Sequence, residues 1–489
     1  MSEPIPCLIR TLAPVHLGAD EVYEPLGFVL DEQQSCLLAF EPGDFLNRLP
    51  EPDRNRFLEI CRRGTVESLL DLYRFYYQHR SLAQGRAVAV CPGLVQHYRE
   101  VLNLKGRGRD LQQALHQFTI HRTAYLPHDH RPYIPGSAIK GALRTAYLNA
   151  LAKIKPLPTP KDQKGRWDPR ALEQQLLTYR RIDEDPFRLL KVSDFLPVGE
   201  VRTRIVYAVN EKKKVSQFAA RGPYQILEVI EPGAEFWGTL TVELPPEEVR
   251  RSPKNKIRHF IAALDLWAAA RTFYQQEKEK EDQALFEIGL PPLPLPEGDG
   301  LTPLRLGRHS GAECVTIAGH RKIKIKQAEG QPPKTMDHAT TLWLAADFHQ
   351  RAKRREARLC PFGWVALREL TLEAAADFQE REAAWRREAL ARTAAPTSPP
   401  VAKAPPAEAV PVKALQETQV WEGARLTWNP GRREVEATWQ GKRATGRGRD
   451  LVPEKLQERL INKKKAVAAR VTVEPVGLAF RVVKIETGD

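Results

Sequence analysis

The sequence predicts an α+β fold with helical insertions, followed by a small, separate β-rich domain. Three observations predict it. Over roughly the first 390 residues, short runs rich in Val, Ile, Leu and aromatics alternate with long segments of three-to-four periodicity. From Ala394 to Val412 the chain is rich in Ala and Pro with little apolar bulk, the composition of an extended linker. Beyond it the periodicity becomes two, as in strands. At 489 residues the chain exceeds what one core needs. The expected parts are 1–245 with a helical insertion at about 44–117, then 246–393, a linker at 394–415, and a small basic α+β domain at 416–489.

Each element follows from its residues. Cys7–Leu12 reads as a first strand, bounded by Pro6 and Pro14. Phe28–Asp31 and Cys36–Phe40 form a hairpin. Asp44–Ala83 is largely helical, with Phe57, Ile60, Leu69, Leu72, Tyr73 and Tyr76 as its apolar stripe. A strand at Ala87–Val90 and a second helical stretch at Val95–Phe118 follow. Phe118–Tyr125 is a strand feeding the turn Tyr133–Gly136. Ser137 is the expected N-cap of a helix running from Ala138 to about Ile154. Further strands are expected at Val201–Ala208, Gln225–Ile230, Glu235–Val242, Cys314–Ile317 and Thr341–Ala345. Helices are expected at Ile257–Ala284 and Ala374–Thr393. In the last domain a hairpin joins Ala424–Trp428 to Glu434–Trp439 through Asn429-Pro430-Gly431, before a helix at Pro453–Lys465 and strands at Ala468–Val473 and Ala479–Ile485. Trp421, Trp428 and Trp439 suit either base stacking or a small core, and core is the stronger reading for so small a domain.

Composition narrows the partner. Lys and Arg number 75 against 61 Asp and Glu, a net charge of +14, which favours a polyanion. Residues 416–489 alone carry 15 Lys and Arg against 10 Asp and Glu. No run of 18 apolar residues is present, and Met-Ser-Glu-Pro does not resemble a secretion leader, so the expected setting is the cytoplasm, with no membrane partner. The six cysteines are scattered and form no C-x-x-C, which argues against a zinc knuckle or a disulfide framework. His128-Asp129-His130 invites a metal reading, but no further ligand pair has suitable spacing. No metal, cofactor or catalytic residue is assigned.

The helix start at Ile134–Arg144 has two readings. Its N-terminal N–H groups, with Lys140 and Arg144 on the face of Ser137, suit a phosphate. The plainer alternative is a capped helix with a solvated basic face. The loop Leu304–Gly311 likewise combines Arg305 and Arg308 with Gly307 and Gly311, as a backbone-approach loop or as a simple turn.

Ile134-Pro135-Gly136-Ser137-Ala138-Ile139-Lys140-Gly141-Ala142-Leu143-Arg144 resembles the Ile-Pro-Gly-Ser-x-x-Lys-Gly-x-x-Arg signature of the RAMP superfamily, the RNA-binding subunits of CRISPR effector complexes. Other landmarks stand in the family's order. They are the Leu12–Gly18 opening with Pro14, His16 and Gly18, the Val192-Ser193-Asp194 strand, the Glu228–Phe236 hairpin, the glycine-rich loop and the terminal strand Pro361–Leu367. The last resembles the fifth subunit of the Csm (type III-A) complex. The resemblance covers about three quarters of the chain and implies a ferredoxin-like (RRM-like) core.

It further implies a structural subunit at the end of a type III effector ribonucleoprotein, holding the 3′ part of the crRNA and supporting its maturation in antiviral defence. Implied partners are crRNA and, indirectly, target RNA, together with the backbone RAMP subunit, the small subunit and recruited host nucleases. Implied RNA contacts are Gly136, Ser137, Lys140, Gly141 and Arg144 at the helix, Arg305, Gly307, Arg308, His309 and Gly311 in the loop, and His16 and Gly18 in the opening. Related backbone subunits carry a cleaving aspartate in an early loop; in Pro25-Leu26-Gly27-Phe28-Val29-Leu30-Asp31 the first aspartate of the usual pattern is replaced by Gly27. The alternative is an endoribonuclease of crRNA precursor or target RNA, metal-dependent or not, using His16, Asp20 or Asp31. A basic scaffold that binds only proteins is the reading outside the family.

Overall fold

A computed structural model describes residues 3–486 except 107, 218–219, 221, 253, 297, 299, 328–329, 355–358, 395–418, 430–433, 441, 449–450, 463–465 and 477–478. The expected linker and the basic run Lys463–Lys465 therefore lie outside the described residues. The chain divides into two compact units, Met1–Pro396 and Thr397–Asp489.

In the first unit the strands are β1 (Ile5–Thr11), β2 (Gly18–Val22), β3 (Phe28–Asp31), β4 (Cys36–Ala39), β5 (Arg86–Val90), β6 (Ile120–Thr123), β7 (Leu190–Val192), β8 (Leu196–Pro197), β9 (Thr203–Lys212), β10 (Gln225–Ile230), β11 (Glu235–Val242), β12 (Thr302–Arg305), β13 (Ile323–Ile325), β14 (Lys334–Met336), β15 (Thr341–Ala346), β16 (Cys360–Pro361) and β17 (Trp364–Glu369). The helices are α1 (Pro42–Arg48), α2 (Glu51–Arg63), α3 (Val66–Gln78), α4 (Pro92–Leu102), α5 (Gly108–Gln117), α6 (Gly136–Ile154), α7 (Pro169–Leu176), α8 (Glu247–Arg251), α9 (Ala263–Glu287), α10 (Arg351–Arg354) and α11 (Leu372–Ala394).

Two sheets organise this unit. The first runs β12-β17-β1-β11-β7, with β8 beside β11, and each neighbouring pair is antiparallel. Helices α6 and α9 pack together against it. Ile139, Leu143 and Ala146 of α6 and Leu266, Phe273 and Tyr274 of α9 share one core with Ile9, Phe236, Trp364 and Leu367. The three-to-four spacing read from the sequence is thus the buried stripe. The second sheet runs β2-β6-β10-β9-β5-β4-β3, with β15 also on β9. Its core joins Phe28 and Leu30 to Tyr73, Tyr98, Phe118, Tyr207 and Ile226. The helical insertion buries Phe45, Phe57, Phe75 and Tyr76 beside Val29 and Phe40. Strands from both sides of residue 245 share both sheets, so the two parts expected there are interleaved.

One expected strand is absent. Glu313–Val315 is a 3₁₀ turn. Asn149 of α6 holds the segment, donating to Thr316 O at 3.2 Å and accepting from Ala318 N at 2.8 Å, while Thr316 Oγ1 donates to Ala312 O at 2.7 Å. A side chain has taken over the backbone pairing that a strand would need.

The second unit is a closed barrel of β18 (Gln419–Asn429), β19 (Glu434–Trp439), β20 (Lys442–Arg447), β21 (Val467–Val476) and β22 (Ala479–Glu486), in the order β18-β19-β20-β22-β21. A short helix, α12 (Glu454–Gln457), continues into a π-helical turn through Asn462 between β20 and β21. Trp421 is fully buried among Leu426, Val435, Ala437, Leu460 and Val471, with Trp428 and Trp439 half-buried against the same core.

Candidate nucleic-acid interface

Helix α6 begins one residue before the expected cap. Pro135 occupies the N-cap position, and Gly136 opens the helix. Ser137 therefore lies in the first turn and makes no side-chain cap. The capping group comes from far along the chain: Gly136 N–H donates to Asp194 Oδ1 at 2.8 Å. A carboxylate there also meets the positive end of the helix dipole. The backbone of Ile134 pairs with Phe195 in both directions, at 3.0 and 2.9 Å. A Cβ at position 136 would lie 2.4 Å from Val192 O and 2.5 Å from Ser193 O, so only glycine permits this approach.

The two cations of this segment face inward partners. Lys140 Nζ donates to Leu190 O at 2.7 Å, and burial lowers its pKa. Arg144 donates through Nε to Glu173 at 3.0 Å, through Nη1 to both oxygens of Asp185 at 2.9 and 3.1 Å, and through Nη2 to the Tyr179 hydroxyl at 3.2 Å. Its guanidinium also lies 4.9 Å from the centroid of the Phe187 ring. Gly136, Lys140 and Arg144 thus have their polar groups engaged within the chain, whereas Ser137 and Gly141, one turn apart, are exposed. A Cβ at Gly141 would meet nothing within 4 Å.

The structure does bring the opening segment and the glycine-rich loop together. Arg308 N–H donates to His16 O at 2.9 Å. Gly307, at φ +81°, lies where a Cβ would sit 2.3 Å from that same oxygen. Gly18 leaves room for the Arg308 side chain, whose Nε would lie 2.9 Å from an added Cβ. Arg308 Nη2 reaches Asp20 Oδ1 at 3.1 Å; the arginine is 39% exposed and the aspartate 93%, so water screens the pair. Arg308 thereby presents an accessible guanidinium beside the edge strand β2.

Arg305 does not. It is buried, pairs with Glu281 at 2.6 Å, donates to Phe362 O at 2.9 Å, and lies over the Trp364 ring at 5.0 Å. Trp364 Nε1 donates to the other oxygen of Glu281 at 2.6 Å, so the loop arginine ties α9 to β12 and β17. Gly311, at φ +77°, lies next to that guanidinium, 3.3 Å from Nη1 to an added Cβ.

Both histidines of the interface are neutral. His16 is buried, and its Nδ1 lies 2.7 Å from Glu228 O. Nδ1–H donates to this carbonyl, and Nε2 has no partner among the described residues. Burial first, then the nearby Arg308 and His121, lower its pKa to about 4. His309, at φ +62°, pairs with Gln225 at 2.9 Å and packs on Trp343, with ring centroids 4.3 Å apart. Its pKa falls to about 3, again chiefly through burial.

One basic residue escaped the sequence reading. Arg122 on β6 lies between the rings of Tyr125 at 3.7 Å and Tyr23 at 5.1 Å, and its Nε has no acceptor among the described residues. Beneath it, Arg86 pairs with buried Glu228 at 3.0 Å and donates to the Tyr23 hydroxyl. The signal was present as an arginine three residues before a tyrosine at the end of a short strand.

The remaining candidates have structural roles. Asp129 accepts from the Arg131 backbone at 3.0 Å and from its Nε at 2.6 Å, and Arg131 in turn grips Glu382 of α11 at 3.0 and 3.2 Å. The His-Asp-His run is thus part of a clasp that docks α11. Asp31 closes the β3–β4 turn by accepting from Gln33 N at 2.9 Å and Gln34 N at 3.2 Å. Gly27 closes the base of the same hairpin, donating to Glu24 O and accepting from Phe40 N, each at 2.9 Å. No helix among the described residues is long and apolar enough to cross a membrane.

No curated protein matches the chain. Among solved structures it is similar to a chain of a Csm–crRNA–target RNA ternary complex of a type III-A CRISPR-Cas system, at 18% identity and a TM-score of 0.47, covering 75% of this chain and all of that one. It is also similar to Csm5 of T. onnurineus, at 17% identity and a TM-score of 0.40, covering 73% of this chain and 99% of that one. The model of the RAMP superfamily matches residues 8–277, more than half of the sequence and the span that holds the end of β1, the opening segment, α6 and the Asp194 cap, so the chain belongs to the RAMP superfamily.

Proposed function

We propose that this chain is an RNA-binding structural subunit of a type III CRISPR effector ribonucleoprotein, holding the 3′ part of the crRNA and supporting its maturation by host nucleases. Its partners in this reading are crRNA, target RNA through the crRNA, and the backbone and small subunits of the same particle. The observation that carries it is the surface formed where the Gly307–His309 backbone lies on His16–Gly18, with the Arg308 side chain 39% exposed and Arg122 stacked on Tyr125 beside it. Guides differ in sequence and share only a backbone, so contacts to phosphate and sugar, with a tyrosine face for a base, are what such a subunit needs. Exposed Ser137 and Gly141 offer a second place where an RNA backbone fits closely.

The ferredoxin-like (RRM-like) reading of the core is supported by the succession β1-α6-β7-β11-α9-β17. Its strands lie in the order fourth, first, third, second. Cleavage by the chain itself is disfavoured in this reading. Gly27 supplies no carboxylate, Asp31 closes a turn, and His16 is buried and already hydrogen-bonded.

The test is fluorescence anisotropy with a labelled guide-like RNA, with and without divalent cation. Arg122→Ala/Arg308→Ala is expected to weaken salt-sensitive binding about tenfold or more, without RNA cleavage by either protein. Unchanged affinity in that variant, or cleavage lost in Asp20→Ala, overturns the proposal.

A further inference from the structure

The barrel of residues 419–486 has a specific topology. Numbering its strands one to five along the chain, the closed order is one, two, three, five, four. The first strand is the longest, at 11 residues, and pairs with both the second and the fourth, with a register shift between Trp421 and Ala424 where it bends. The third and fifth close the barrel in parallel, through Ala444 with Phe480 and Thr445 with Arg481. A helical segment stands between the third and fourth strands. This is the Greek-key barrel of oligonucleotide- and oligosaccharide-binding (OB) domains, in which the face of strands two and three takes the ligand.

A shared topology does not establish a shared function, so the chemistry of that face has to decide. Strands β18, β19 and β20 carry Arg425, Lys442, Arg443 and Arg447 against Glu422, Glu434 and Glu436. On the outward side, Arg425, Thr438 and Arg443 stand in one row across β18, β19 and β20. Thr427, Glu436 and Thr445 form the next row. The two arginines and all three threonines are exposed. Arg443 pairs with Glu436, and 69% of its side chain remains accessible. The inward alternates, Leu426, Val435, Ala437 and Ala444, are core. The described outward positions of these three strands carry no aromatic side chain, so the face offers guanidinium groups and hydroxyls and no stacking platform.

We infer that the C-terminal barrel is a second, separate single-stranded RNA site, binding phosphate and sugar without sequence preference on the face of β18, β19 and β20. Oligosaccharide is the other ligand class of the fold, but a face with two exposed arginines suits a polyanion better than a neutral sugar. The inference stands on the barrel's own residues and goes beyond the RNA reading of the first unit.

The full-length protein decides it. The probe is a fluorescein-labelled oligouridylate of about twelve nucleotides, within the range one such barrel covers, with a parallel version containing 4-thiouridine for crosslinking and peptide mapping. Crosslinks are expected in peptides of β18, β19 and β20. Arg425→Glu/Arg443→Glu is expected to weaken binding about tenfold and to flatten the log affinity against log salt slope by about 1.4, the share of two phosphates on a single strand. Glu436→Gln, which frees Arg443, is expected to tighten binding. Arg425→Gln/Arg443→Gln repeats the first test with minimal change of shape, and circular dichroism checks that each variant is folded. Crosslinks confined to the first unit, with affinity and slope unchanged in both double variants, overturn the inference while leaving the proposed function of the first unit intact. Loss of all crosslinks in Arg122→Ala/Arg308→Ala, with the barrel unchanged, overturns it as well.

Discussion

Replacing Arg144 by alanine separates two roles that its place in the RAMP signature leaves open. Either the guanidinium holds an RNA phosphate or it is a strut between α6, α7 and the segment before β7. In the structure it satisfies Glu173 and Asp185 at once, at about 3 Å each. Asp185 is 14% exposed and Glu173 33%, so Asp185 bears most of the cost when the cation goes. Losing a hydrogen bond to a buried charged group costs about 1.5–3 kcal/mol, and the screened bond to Glu173 adds at most about 1. The expected loss is therefore about 2–4 kcal/mol. Unfolding entropy near about 2.1 cal/mol/K per residue, over the unit Met1–Pro396, turns about 3 kcal/mol into a fall in Tm of about 4 °C. Scanning calorimetry of the full chain reads this directly, and Arg144→Ala/Asp185→Ala should recover part of it by removing the orphaned carboxylate. The reasoning is refuted if Arg144→Ala melts with the wild type yet binds guide-like RNA tenfold more weakly. The guanidinium would then leave its carboxylates for phosphate in solution.

Four further outcomes are expected. Gly136→Ala forces a methyl against two carbonyl oxygens and displaces the Asp194 cap, and urea denaturation should show a loss of about 2–4 kcal/mol despite alanine's better helix propensity. Glu281→Ala leaves Arg305 buried without its carboxylate, and should cost about 3–5 kcal/mol by the same measurement. Gly307→Ala clashes with His16 O at a left-handed φ; it should weaken RNA binding by moving Arg308, with little change in far-UV circular dichroism. The pH dependence has a definite sign. His16 and His97 fall from 6.5 to about 4 and His309 to about 3, each through burial, so the unfolded chain binds more protons below pH 6.5. Their stabilising contribution is complete above pH 6.5 and is lost as pH falls toward 4, steepest near pH 5 at up to about 4 kcal/mol per pH unit for three protons. Urea midpoints at pH 7 and pH 5 measure this, and His97→Gln/His309→Gln should flatten the change.

The elements were legible because their signals are local. The stripe Ile139, Leu143, Ala146 reads as a buried helix face before any partner is known, and Glu228–Phe236 reads as a hairpin around Pro232-Gly233. The α+β class with a β-rich C-terminal unit follows from such local periods. Closure of the barrel was not legible, because the parallel pairing of β20 with β22 joins segments that no local period links. The strand expected at Cys314–Ile317 failed for a related reason: Asn149, some 170 residues earlier, supplies the hydrogen bonds a neighbouring strand would have made.

The signature segment shows how a motif can be read correctly as a family mark and differently as chemistry. Gly-Ser-x-x-Lys-Gly-x-x-Arg contains what a phosphate seat contains: a helix start, a glycine and two cations. It also contains what a helix needs in order to press its first turn onto a strand end. The glycine removes a clash with Val192 and Ser193, Asp194 caps Gly136, Lys140 reaches Leu190 O, and Arg144 draws in Asp185 and Glu173. Sequence spacing places cations on a helix face, but only the fold tells whether that face looks to solvent or to carboxylates elsewhere in the chain. Arg308 shows the converse. It stands in a weaker motif, yet its only anionic partner among the described residues is the 93% exposed Asp20, from which an RNA phosphate can take it at small cost. A cation held by one screened carboxylate is available to a ligand, whereas Arg144, held by two carboxylates and a hydroxyl, is already in use.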